Sequence, residues 1–129
     1  MLRRMTASYA PSQPLSAETG DRAADELLAR FYRAMGDPTR LHLLEFCATE
    51  ERTGTECVAQ TTISQGRVSA HLACLVSCGL LAMRRSGRFA HYRVVDPRVM
   101  ELIALGRGMV GDHAASIAAC ATVDRGAER

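Results

Sequence analysis

The sequence predicts a mainly α fold with a small β-hairpin, a winged helix-turn-helix. Three observations predict it. A short helix at residues 55–61 and a longer one at 63–80 are joined by a tight turn, Thr62 to Ser64. A hairpin signal comes directly after them, centred on Ser86-Gly87 and tipped by arginines. Helical apolar stripes lie on both sides of this centre, at residues 22–35 and from Val99 onward.

Residues 1–20 hold Pro11, Pro14, Gly20 and several Ser and Thr, and read as a flexible N-terminal tail. The domain itself is expected over residues 21–121, with a polar C-terminal tail at 122–129. In the first helix, Ala24, Leu27, Leu28, Phe31 and Met35 form one stripe, and Gly36 stops it. Asp37-Pro38-Thr39 restarts the chain, because Pro38 disfavours helix at Asp37 and Asp37 or Thr39 can cap the second helix. That helix, 39–50, carries Leu41, Leu44 and Ala48 on one side with Leu43 and Cys47 beside them. Residues 51–55 read as a loop. Cys47 and Cys57 read as small buried apolar residues.

The helix at 63–80 has Ser64 as N-cap and Gly79 as stop. Val68, Leu72 and Leu75 share its packing stripe. Cys74 and Cys78 lie beside that stripe, four residues apart and so on one face. Two thiols one turn apart are what a soft metal ion needs. Leu80 to Arg85 and Arg88 to Val95 form the hairpin strands. Asp96 caps the last helix with Pro97 at its first position. Val99, Leu102, Ile103, Met109, Val110 and Ile117 form its stripe, and Gly106, Gly108 and Gly111 predict a kink or a close approach. A domain this small leaves the apolar faces of its first and last helices underburied, and a homodimer through those helices would cover them.

Net charge is only +2, but it is unevenly placed. Every basic residue is arginine. From Cys57 to Val95 there is no acid, while Arg67, Arg84, Arg85, Arg88 and Arg93 are present with His71 and His91. That pattern points to a polyanion site; beside a helix-turn-helix with an arginine-tipped wing the expected polyanion is double-stranded DNA, with Ser64, Gln65 and Arg67 at the front of the recognition helix. Gln can read adenine and Arg guanine in the major groove. Ser69 and His71 are candidates for phosphate or sugar contacts, and Arg85 and Arg88 for the wing. No run approaches the 18 apolar residues of a membrane span. Five cysteines without a secretory segment suggest a reduced, cytoplasmic protein. A thiol enzyme is disfavoured: there is no Cys-x-x-Cys pair, glycine-rich nucleotide loop or general base beside a nucleophile.

The run Arg33-Ala-Met-Gly-Asp-Pro-Thr-Arg40, the run Arg67-Val-Ser-Ala-His-Leu72, and Gly87-Arg88 to Tyr92-Arg93 together resemble the ArsR/SmtB family of winged-helix metal-sensing repressors. The resemblance spans about residues 22–120. Within it, Leu72-Ala-Cys-Leu-Val-Ser-Cys-Gly-Leu80 is similar to the cadmium- and lead-sensing CmtR branch. That likeness implies a metal site of Cys74, Cys78 and Cys120, the last from the C-terminal region of the other subunit. It also implies an apo-dimer that binds operator DNA and is released by the metal. The Cys-Val-Cys motif of arsenic and cadmium sensors is absent, as is the Asp-x-His pattern of zinc sensors. No cysteine precedes Cys47, so the tail offers no fourth thiol. Three thiolates suit Cd(II) or Pb(II), with Hg(II) and As(III) as further effectors. The alternative reading is a thiol-based redox-sensing regulator.

Overall fold

The computed structural model describes residues 21–120, so the two predicted tails, and residue 121 at the domain's expected end, lie outside the described residues. The chain forms two compact units, Met1–Pro97 and Arg98–Arg129. In the first, the elements are α1 (Asp21–Met35), α2 (Pro38–Thr49), β1 (Arg52–Thr53), α3 (Gly54–Ala59), α4 (Gln65–Ser77), β2 (Ala82–Ser86) and β3 (Phe89–Arg93). The second contains α5 (Arg98–Ala118).

Each start and stop has a local cause. Asp37 is extended and its side chain accepts from the Arg40 N–H at 3.0 Å, while Pro38 occupies the first turn, where its missing N–H costs nothing. Thr53 and Glu56 form a reciprocal capping box at the front of α3. Ser64 caps α4 by accepting from the Arg67 N–H at 3.3 Å. The other end of α4 is a Schellman close: Leu80 N–H reaches Leu75 O at 2.9 Å and Gly79 N–H reaches Val76 O at 3.1 Å. Gly79 takes φ +76°, which a side chain would strain. Cys78 is therefore the C-cap of α4, one residue past its last helical turn.

Two expectations about the sheet change. The loop at 51–55 contributes a short third strand, giving the antiparallel order β1-β3-β2. Two residues are too few to show a period, so the sequence carries no signal for β1. Ser86 pairs with Phe89, so the two turn residues are Gly87 and Arg88, one step beyond Ser86-Gly87. Gly87 at φ +61° followed by a non-glycine of negative φ has the signs of a type II′ turn.

The core of the first unit is built where α2, α3 and α4 meet the sheet. Leu43, Leu44, Cys47, Cys57, Val68, Leu72, Leu75 and Leu80 are fully buried. Val68, Leu72 and Leu75 are the stripe expected of the central helix. Along α1, Leu27, Leu28 and Tyr32 are exposed. In α5, which starts at Arg98 just after Pro97, Val99 and Ile103 are buried and Leu105, Met109, Val110 and Ile117 are exposed. Its backbone leaves helical values at His113 (φ −135°, ψ 22°), two residues past Gly111, so the expected irregularity falls there. No described helix is long and apolar enough to cross a membrane.

Candidate metal and DNA sites

Two clefts of the first unit share helix α4. The first, about 350 Å³, is lined by Arg30, Arg33 and Ala34 of α1, Arg40 of α2, and Cys74 and Cys78. Cys74 is half-buried and Cys78 exposed. Burial pushes the Cys78 thiol up from its ordinary value, and Cys74 adds to this through its charge and a hydrogen bond; Arg40 opposes the shift more weakly. Two soft donors lining one open, arginine-rimmed cleft fit a thiophilic ion, whose binding would displace the thiol protons.

Arg40 organises this wall. Its Nε donates to Ala34 O at 2.6 Å and a terminal nitrogen donates to Arg33 O at 3.0 Å. Both acceptors are carbonyls at the C-terminal end of α1, where a cation is favourable. The other terminal nitrogen lies 3.0 Å from His71 Nδ1. One guanidinium thus joins the end of α1 to α4, which gives the Arg33-to-Arg40 run its physical meaning. His71 is half-buried against Arg40 rather than fully presented to solvent.

Cys120 lies in the second unit, half-buried just past α5, with its N–H donating to Ile117 O at 3.1 Å. Among the described residues, no three His, Cys, Asp or Glu side chains gather into a group able to hold a metal.

The second cleft, about 190 Å³, opens between α4 and the wing. Gln65 and Ser69 line it from α4, and Arg85, Arg88 and Phe89 from the hairpin. Ser64, Gln65, Arg67, Ser69, Arg85 and Arg88 are all exposed. The remaining basic side chains of the wing are engaged. Arg84 Nε donates to Glu51 Oε2 at 3.1 Å and a terminal nitrogen pairs with Glu51 Oε1; Arg93 and His91 stand 3.6 and 3.5 Å from the same carboxylate. Hydrogen bonding from Arg84 holds the Glu51 carboxyl below its ordinary value. Glu51 lies outside the acid-free stretch, so reading charge along the sequence missed this neutralisation.

Residues 37–82 match the family described as "Bacterial regulatory protein, arsR family". A "Probable mercury resistance operon repressor" of Streptomyces lividans is 50% identical over 95 residues, covering 74% of this chain and 76% of the relative. The transcriptional regulator CmtR of Mycobacterium bovis is 33% identical over 72 residues, covering 56% of this chain and 61% of CmtR. Among solved structures, a homodimeric winged helix-turn-helix DNA-binding domain from Mycobacterium bovis, described as a possible ArsR-family transcriptional regulator, aligns with a TM-score of 0.65 at 28% identity. That alignment covers 81% of this chain and 93% of the other. The family match and the half-identity to the Streptomyces relative agree: the chain belongs to the arsR family of bacterial regulatory proteins.

Proposed function

We propose that the chain is a homodimeric, metal-responsive transcriptional repressor. The observation that carries this reading is the double use of α4. One face of the helix lines the cleft holding Cys74 and Cys78, and its front, with Gln65 and Ser69, lines the cleft beside the wing. The name of the mercury-resistance relative supports a metal effector. A homodimeric structural neighbour supports the assembly.

In this reading, the metal-free dimer sets two copies of α4 in successive major grooves of a palindromic operator. Gln65 and Arg67 read base edges, Ser64, Ser69 and His71 contact the backbone, and Arg85 and Arg88 hold phosphates or the minor groove. Cys74 and Cys78, joined by Cys120 from a second copy of the chain, take up a thiophilic ion. Because Arg40 lines the same cleft and contacts His71, displacement there is transmitted to the DNA-reading helix and to the end of α1. Release requires the ion to favour the DNA-incompetent state by about 1–3 kcal/mol or more. Binding expels thiol protons, and the Cys78 thiol sits above its ordinary value, so effector affinity rises with pH across neutrality.

The test is to titrate the reduced protein on fluorescent upstream DNA with Hg(II), Cd(II), Pb(II), As(III) and Zn(II). A soft ion should release the DNA. Cys74→Ser or Cys78→Ser should weaken that response by at least about tenfold, with DNA affinity of the metal-free protein little changed. A protein that never binds its promoter, or one released equally with both thiols gone, would sink the reading.

A further inference from the structure

Two cysteines have no part in the proposed sensing cleft. Cys47 comes from the last turns of α2 and Cys57 from α3. Their sulfurs face each other at 3.9 Å, and both side chains are fully buried. No charged or polar residue is buried among the described residues. We propose that Cys47 and Cys57 form a second metal site, a two-coordinate thiolate site for a soft dication within the core of the helix-turn-helix.

Charge decides the class of ion. A dication with two thiolates is neutral, so its burial leaves no uncompensated charge. A monocation would leave a net negative charge in an apolar core. Zinc and harder ions need four or more ligands, and this pair supplies two. The binding step balances without any electron transfer: two S–H bonds break, two metal–sulfur bonds form and two protons leave to solvent. The two sulfurs already lie within hydrogen-bonding distance of each other, and either thiol can be the donor.

Geometry gives the site a consequence. With metal–sulfur bonds of about 2.3 Å, a linear unit spans about 4.6 Å, so the two sulfurs must part by about 0.7 Å. Close-packed cores resist such a change and pass it on. The helices that would yield are α2 and α3, and α3 packs on α4 and β3. Because the site uses none of the thiols proposed for the sensing cleft, it stands or falls independently of them.

The experiment uses the full chain carrying Cys74→Ser, Cys78→Ser and Cys120→Ser, which leaves the buried pair as its only thiols. The reduced protein is titrated with mercury(II) chloride against a small competing thiol. Metal per chain, sulfur–metal charge-transfer absorbance and free thiols after denaturation are measured. The expected result is one mercury per folded chain and loss of both remaining thiols. Adding Cys47→Ala should cut affinity by at least about tenfold. Wild-type protein whose exposed thiols have first been alkylated provides a second route to the same stoichiometry. Folded protein that takes up no mercury by either route, or uptake that survives loss of Cys47, overturns the site. Release of DNA by cadmium or lead from protein carrying Cys47→Ala and Cys57→Ala tests Cys74 and Cys78 separately, so either proposal can fail alone.

Discussion

Glu51 faces Arg84, Arg93 and His91 at once, and its removal should have two opposite effects. Its side chain remains partly open to water, so solvent screening limits the stabilisation. Glu51→Gln is expected to lower unfolding free energy by only about 0.2–1 kcal/mol, measured by urea denaturation. The same change frees Arg84 and Arg93, so DNA affinity and its salt dependence should increase. The lowered carboxyl value sets the pH dependence: the contribution is present above the unfolded value near 4.5 and fades as pH falls through the folded one. Urea midpoints of wild type and Glu51→Gln should therefore converge in acid. Equal midpoints at neutral pH would show the network to be energetically idle.

At the scale of elements, α4 and the hairpin carry the proposed DNA contacts. Arg85 and Arg88 line the wing cleft, and neither takes part in the Glu51 network. Arg88→Ala is expected to weaken binding to all sequences alike and to lower the slope of log affinity against log salt by about 1. Fluorescence anisotropy across a salt series checks this; an unchanged slope would remove Arg88 from the phosphate contacts. Much of this level was legible in the sequence. Val68, Leu72 and Leu75 announce a buried face by their spacing, and Ser64, Gly79 and Gly87 announce ends and turns by their conformational chemistry. The features that escaped share a cause. The pairing of β1 with β3, the facing of Cys47 and Cys57, and the reach of Glu51 to Arg84 all join residues distant along the chain. No local period or cap reports such a meeting. Cys74 and Cys78 were legible as a pair because both lie within a single turn; their arginine rim, drawn from α1 and α2, was not.

For the whole molecule, the exposed apolar residues pose the main question. Leu27, Leu28 and Tyr32 on α1, and Leu105, Met109, Val110 and Ile117 on α5, are costly to leave in water. Within the proposed dimer these faces are covered. Leu28→Glu should therefore shift the protein toward monomer in light scattering, and operator affinity should fall by about 100-fold or more as two linked half-sites become one. A variant that stays dimeric would exclude the α1 face.

The acceptors of Arg40 on α1 are main-chain oxygens of Arg33 and Ala34, not side chains. Almost any helical sequence ending at Gly36 offers the same two oxygens in the same place. Natural variation, or a designer, is thus at liberty to rewrite the outer surface of α1 and change which chains recognise one another. The fastening to α4 would survive the revision. Under the proposed function, partner choice and operator choice would be separately adjustable features of one small protein.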